Sequence, residues 1–197
     1  KIMMQILQEK GIVENFEFKF RVKSGRERFG ILTSAIINLD GEKHILSLTQ
    51  DITERRKSEE RLRLLSTALE SAANSIVITD HESTIIWANE AFSKLTGYAL
   101  DEVIGKKPRD LVYSGIHPPE FYEHMWKTIL SGNEWHGEII NKRKNGSLFN
   151  ELLTITPVRD DKNAIRNFIA VKQDISEQKK AEEELRNAKE EAEESNR

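Results

Sequence analysis

Not one cysteine occurs among the 197 residues. That absence excludes disulfides, thiolate metal sites and every reaction that runs through a cysteine nucleophile or adduct. Also missing is any apolar run near the roughly 20 residues that cross a bilayer, and no secretory signal opens the chain. Basic charge is not in excess: 30 Lys and Arg face 33 Asp and Glu, so no broad cationic field favours nucleic acid. No glycine-rich nucleotide loop is present, and no nucleophile, base and orienting group converge in a motif, so the chain itself is not expected to be an enzyme. The expected setting is cytoplasmic, with neither nucleic acid nor membrane touched by these residues. Because Lys1 stands in the middle of a pattern, a membrane anchor elsewhere in a parent protein stays open.

What is present is a repeat. Asp51-Ile-Thr-Glu-Arg-Arg-Lys-Ser-Glu-Glu-Arg-Leu-Arg63 returns 123 residues later as Asp174-Ile-Ser-Glu-Gln-Lys-Lys-Ala-Glu-Glu-Glu-Leu-Arg186. Upstream, Lys23-Ser-Gly25 matches Lys144-Asn-Gly146 and Asp40 matches Asp161, each 121 residues apart, which puts two extra loop residues before the last strand of the second copy. Alternation predicts strands at 134–144, 148–158 and 165–173, with a tight turn at 144–146. The same three strands are expected at 14–22, 28–39 and 44–50. The first copy therefore reads as the back half of a domain, with apolar strand faces left to disorder, swapping or association.

After each third strand the pattern changes from period 2 to a charged helix, and Thr53 or Ser176 stands where an N-cap should. Ser58, Leu62, Leu65, Leu69 and Ala72 recur at heptad spacing, as do Ala181, Leu185, Ala188 and Ala192. This seam points to a weak parallel homodimer through the linker helices. Solvated single helices are the competing reading. The resulting organisation is three strands over 1–53, a linker helix over 54–73, a complete domain over 74–176 and a coiled-coil exit helix over 177–197.

In the complete domain, residues 75–80 and 84–88 read as two strands around a polar turn. Short helices follow, and Pro118-Pro119 opens the longest. Its apolar face carries Phe121, Tyr122, Met125, Trp126, Ile129 and Leu130, and Gly132 ends it. The expected class is α+β, a five-stranded antiparallel sheet with helices on one face, flanked by coiled-coil helices. Asn89 is expected to cap a helix through the amides near Ala91 and Phe92.

Asp80, Ile85, Asn89-Glu-Ala-Phe92, Leu95-Thr-Gly-Tyr98, Glu102-Val-Ile-Gly105, Trp135-His-Gly-Glu138, Asn141-Lys-Arg-Lys-Asn-Gly146 and Pro157-Val158, with the Asp-Ile-Ser ending, together resemble the PAS domain family over roughly residues 70 to 176. The first copy is similar to the back half of another PAS domain. One departure is Ser83, where the family usually has a turn glycine. The final segment from Ala188 resembles the linker that leads into the phosphoacceptor helix of sensor histidine kinases. The resemblance thus implies a multi-PAS sensor kinase of a two-component system, with a kinase domain downstream of the exit helix.

PAS domains hold ligands between the inner sheet face and the helices. On the third strand Trp135, Gly137, Ile139 and Asn141 share one face by the two-residue period, and His136, Glu138, Ile140 and Lys142 the other. The first set offers an aromatic plate, a glycine that makes room and an amide that both donates and accepts. Together with Trp126 this region is similar to flavin-binding redox sensors of the family, which implies FAD bound by Trp126, Trp135, Gly137 and Asn141. The competing reading makes these residues ordinary core. Flavin–cysteine photochemistry of the LOV type is excluded. Haem would need His117, His124 or His136 as axial ligand, and Glu123-His-Met-Trp126 does not resemble a haem-binding motif; no metal is expected. Two functions follow: a ligand-responsive or redox-responsive sensor, and a cofactor-free PAS module that dimerises and relays signals.

Overall fold

The structure, a computed structural model, describes residues 2–195, without the side chains of residues 2, 192, 194 and 195. Ala192, the last expected seam position, therefore lies outside the described side chains. The chain divides into two units after Ser66.

The first unit runs α1 (Ile2–Lys10), β1 (Ile12–Arg21), β2 (Glu27–Leu39), β3 (Glu42–Asp51) and the start of α2 (Thr53–Glu70). Its strands form one antiparallel sheet in the order β1-β2-β3. The sequence reading did not anticipate α1, which buries Leu7. Strand β3 is exposed along its whole length and leaves Ile45, Leu46 and Leu48 open.

The second unit contains β4 (Ser75–Asp80), β5 (Ile85–Ala88), α3 (Glu90–Thr96), α4 (Leu100–Val103), α5 (Pro108–Val112), α6 (Pro119–Leu130), β6 (Trp135–Lys142), β7 (Leu148–Arg159), β8 (Ile165–Asp174) and α7 (Ser176–Ser195). Five strands pair antiparallel in the order β5-β4-β8-β7-β6, the α+β architecture expected. Two-residue alternation turns Phe149, Glu151, Leu153 and Ile155 of β7 inward. Two apolar clusters cover this face. One gathers Val77, Ile85, Phe92, Val103 and Val112, the other Met125, Ile129, Trp135, Ile139, Leu153 and Phe168. Each fully buried aliphatic or aromatic side chain contributes about 1.5–3 kcal/mol.

Asn89 holds the start of α3 to the sheet. Its Oδ1 accepts from the Phe92 amide at 3.2 Å, as expected of a cap, and from the Ile76 amide at 2.9 Å. Its Nδ2 donates to the Asn74 carbonyl at 3.0 Å and the Leu69 carbonyl at 3.2 Å. Helix α2 stops at Glu70, so Ala72 falls beyond it and the seam within the helix consists of Ser58, Leu62, Leu65 and Leu69. Leu62, Leu65, Leu69 and Leu185 are all exposed. Among the described residues no helix is long and apolar enough to cross a membrane.

Ser83 sits at φ +68°, which accounts for the glycine usual at this turn. Asp80 Oδ1 supports the turn by accepting from the Glu82 and Thr84 amides at 2.9 and 2.8 Å. These bonds, that from Thr84 first, hold the Asp80 carboxyl below its ordinary pKa. Ser83→Gly should raise stability by about 0.5–1 kcal/mol, the left-handed penalty less the added chain entropy. A lower urea midpoint for the variant would refute this.

Both strand-to-helix junctions differ from the expected N-cap, and they differ alike. The Thr53 and Ser176 hydroxyls bond the neighbouring strand instead of their own helices: each accepts at 2.9 Å from a backbone amide, that of Phe29 or of Asn150. The same two strand residues accept at 2.9 Å, through their carbonyls, from the Ile52 and Ile175 amides. Capping passes to the aspartates, since Asp51 Oδ1 and Asp174 Oδ1 accept from the Thr53 and Ser176 amides at 2.9 Å. Arg28 lies 2.5 Å from Asp51, and Arg143 lies 2.7 Å from Asp174. Hydrogen bonds from Thr53 and Arg28 lower the Asp51 pKa to about 2. Burial pushes the Asp174 pKa up, but the bonds from Ser176 and Arg143 outweigh it and leave the pKa lowered. Ser176→Ala strips the Asn150 amide of its partner and should cost about 1 kcal/mol. Faster hydrogen exchange at the Asn150 amide is the expected reading; an unchanged rate would mean the clamp contributes nothing.

Candidate functional site

Between the inner sheet face of the second unit and helices α5 and α6 lies a cavity of about 630 Å³. That volume is within the range of small-molecule sites. Val77, Val112, Met125, Ile129, Ile139 and Leu153 supply apolar wall, while the exposed Lys107 and Arg109 are cations on its lining. Tyr122 also belongs to this lining, and its hydroxyl is buried with no hydrogen-bond partner among the described residues. Burial, reinforced by Tyr113, raises the Tyr122 pKa.

Polar chemistry inside the unit comes from three adjacent strands. Inward positions of β6, β7 and β8 place Asn141, Glu151 and Lys172 together; Asn141 and Lys172 are on the cavity lining, and Glu151 stands between them. Glu151 Oε1 accepts from Asn141 Nδ2 at 2.9 Å and from Lys172 Nζ at 2.7 Å. Glu151 is 0% exposed and Lys172 4%. Glu151 Oε2 has no partner among the described residues. A buried ion pair survives desolvation only with close contact and added hydrogen bonds, and the Asn141 amide supplies one of these.

The four residues singled out in the sequence separate into pairs. Asn141 and Trp126 line the cavity; Trp126 is 37% exposed, and its ring meets Phe168 edge-on at 6.3 Å. Trp135 and Gly137 share the inner face but are not among the lining residues. A Cβ on Gly137 would stand 2.8 Å from Trp135 Cζ2, so the room this glycine makes is filled by the Trp135 ring, which also packs edge-on against Phe121. Sequence reasoning missed Glu151 and Lys172. The signal was available: each is a charged residue on the apolar face of a strand, a placement that demands a partner.

Two of the three candidate histidines make other contacts, and the third is exposed. His117 Nε2 accepts from the Ile140 amide at 2.8 Å, and its ring stacks on Phe121. His136 Nδ1 pairs with Thr154 Oγ1 at 2.7 Å, and His124 is exposed on α6. Among the described residues no group of three His, Asp or Glu side chains is arranged to hold a metal.

The first unit answers the same positions differently. By the repeat and by strand pairing, Phe20, Gly30 and Thr49 correspond to Asn141, Glu151 and Lys172. A Cβ on Gly30 would lie 2.8 Å from the Phe18 ring and 3.2 Å from that of Phe20. Aromatic rings crowd the place where the second unit puts a carboxylate. The junction is common to both units, whereas the polar cluster belongs to the second.

Comparison with known proteins agrees with this geometry. A family profile described as "PAS domain" matches residues 73–177. The "Nitrogen fixation regulatory protein" of Klebsiella oxytoca is 38% identical over 124 residues, which cover 63% of this chain and 25% of that protein. "Phototropin-1A" of Oryza sativa subsp. japonica is 33% identical over 124 residues, 61% of this chain and 13% of that protein. The chain thus spans at most a quarter of these curated relatives. A solved structure described as "Flavin Analogue Sheds Light on Light-Oxygen-Voltage Domain Mechanism" superposes with a TM-score of 0.53 at 32% identity, covering 65% of this chain and 96% of that one.

Proposed function

We propose, from the premise that this chain belongs to the PAS domain family, that its second unit is the sensory module of a two-component sensor histidine kinase and binds FAD in the cavity. The chain carries no catalysis of its own in this reading. The linker helices pair as a homodimer, and α7 conducts the state of the pocket toward a kinase domain. The observation that carries the ligand assignment is the buried cluster of Asn141, Glu151 and Lys172 beside the apolar wall of the cavity. Such a site suits a flat heteroaromatic with one polar edge: Asn141 and Lys172 would hold that edge, Trp126 would cover the ring, and Lys107 and Arg109 suit the diphosphate of FAD. The flavin would supply redox chemistry. The fit is further supported by the likeness to a Light-Oxygen-Voltage domain studied with a flavin analogue.

A path from the pocket to the exit helix is short. Glu151 of the cluster follows directly on Asn150, whose backbone holds both Ile175 and the Ser176 hydroxyl. A change in the hydrogen bonding of Glu151 therefore acts one residue from the joint. Coupling of this kind needs only about 1–3 kcal/mol of difference between two states. The exposed Leu62, Leu65, Leu69 and Leu185 supply the apolar seam of the paired helices.

A second reading, the cofactor-free relay, draws on the first unit, where the same junction stands without the polar cluster. Reconstitution of the full chain with FAD followed by gel filtration separates them. The sensor reading expects close to one FAD retained per chain, with the absorption bands of bound flavin. A folded chain that emerges colourless leaves only the relay.

A further inference from the structure

We propose that helix α3 is a strut coupling the incoming helix α2 to the outgoing helix α7, with Asn89 as its input tie and Arg143 as its output tie. This goes beyond the pocket reading and holds whether or not the cavity takes a ligand. The starting point is the helix itself. With seven residues, Glu90–Thr96, α3 is too short to keep its shape alone. Every helix leaves unmade backbone bonds at its ends, and here each end is completed by a group that also holds a linker helix.

At the first turn that group is Asn89. Its Oδ1 accepts from the Phe92 amide, and its Nδ2 donates to the Leu69 carbonyl in the last turn of α2. Asn89 is 0% exposed, which keeps solvent from competing for these bonds. At the last turn the groups come from the connection between β6 and β7. The Lys144 amide donates to the Thr96 carbonyl at 2.9 Å, and Arg143 Nη1 donates to the Leu95 carbonyl. Arg143 Nη2 lies 2.7 Å from Asp174, the aspartate that caps α7. One side chain thus joins α2 to the start of α3, and another joins its end to α7.

The first unit builds its junction without such a connection. There Arg28 pairs with the aspartate from β2, at the position that Phe149 holds in the second unit, and Val22 stands where Arg143 does. Placing the arginine in the hairpin lets it reach α3 and Asp174 together. A displacement of α2 then arrives at α7 through two side chains and one short helix, with no step through the Glu151 cluster.

The test is native-state hydrogen exchange on the full chain without ligand, read at the Ile175 and Ser176 amides relative to residues 153–155 of β7. Asn89→Ser keeps a cap for the Phe92 amide but gives up the reach to Leu69. It should speed exchange at the two amides about two- to tenfold, the equivalent of one hydrogen bond. Once Arg143→Met has cut the output tie, the same change should add nothing. No effect of Asn89→Ser on its own overturns the proposal. An equal factor in both backgrounds also overturns it, because unconnected sites act additively. Should Asn89→Ser not fold, Lys94→Gly decides. Lys94 is exposed, so glycine there softens the helix and leaves both ties in place. Lys94→Ala is its control, since both variants lose the ion pair with Glu90 and differ only in backbone stiffness. The glycine variant should exchange faster at Ile175 and Ser176 than the alanine variant, and equal rates end the proposal. Retention of FAD bears on none of these outcomes.

Discussion

Replacing Lys172 with methionine is expected to lower the unfolding free energy by about 3–5 kcal/mol, the cost of leaving one member of a buried ion pair uncompensated. Methionine keeps much of the length of the lysine stem, so lost packing contributes little. What remains is the Glu151 carboxylate, wholly buried, with the Asn141 amide as its single donor among the described residues. The companion experiment is Lys172→Met with Glu151→Leu, which removes both charges and fills the space with hydrocarbon. Well-packed apolar replacements of buried ion pairs are commonly neutral or better, so the double variant should recover most of the loss. Urea denaturation of the single and double variants measures both numbers. A single variant as stable as wild type would mean that Glu151 is solvated or protonated without Lys172, and the buried pair would not describe this site. If the cavity is a flavin site, recovery of stability in the double variant should not restore binding, because the polar edge of the ligand would have lost the Lys172 ammonium.

The second large effect is expected at Phe149, 1% exposed and one residue before the Asn150 clamp. Phe149→Ala should cost about 3–5 kcal/mol through lost burial and the cavity left behind. Part of the loss is specific to the junction. The Arg143 guanidinium lies 4.5 Å over the Phe149 ring while it pairs with Asp174 and donates to the Leu95 carbonyl. With the ring gone, Arg143 loses the platform that orients it, and the joint to α7 should loosen beyond the global destabilisation. Hydrogen exchange distinguishes the two effects. The amides of Ile175 and Ser176 should exchange faster than global unfolding of the variant allows, while those of β4 should follow it. If all of these amides move together, Phe149 is a core residue and has no special hold on the exit helix.

How much of this could be read beforehand depended on range. Local periodicity sufficed for the strands and for the inward set of β6, and the repeat located both junctions. Asn89 was legible as a cap because its partner is only three residues away. For Glu151 and Lys172 the inward placement was legible but the partner was not, because their pairing joins residues 21 positions apart and appears only once register is known. The direction of Trp135 was hidden for a different reason. A two-residue period says which face a side chain occupies but not which way it leans along the strand. The ring leans over Gly137 and stays off the cavity.

At the junctions two polar residues one position apart, Asp and Ser or Thr on either side of an isoleucine, could each cap the helix. The choice was made by a strand residue 26 positions upstream of Ser176, whose amide claims the hydroxyl. The end of α2 is likewise tied to a distant group, since the Leu69 carbonyl accepts both from the Ala72 amide at 3.3 Å and from Asn89 Nδ2 at 3.2 Å.

The clamp that closes each sheet also marks a place where chains can be cut and grafted. Apart from the Leu95 carbonyl, which also accepts from Arg143, its partners lie between Arg28 and Thr53 in one unit and between Arg143 and Ser176 in the other. A crossover placed after the clamp carries a finished connector with whatever interior precedes it, whether the aromatic filling around Gly30 or the charged cluster around Glu151. Reception and connection are thus interchangeable parts, and new inputs can be joined to an existing output helix without redesigning the joint.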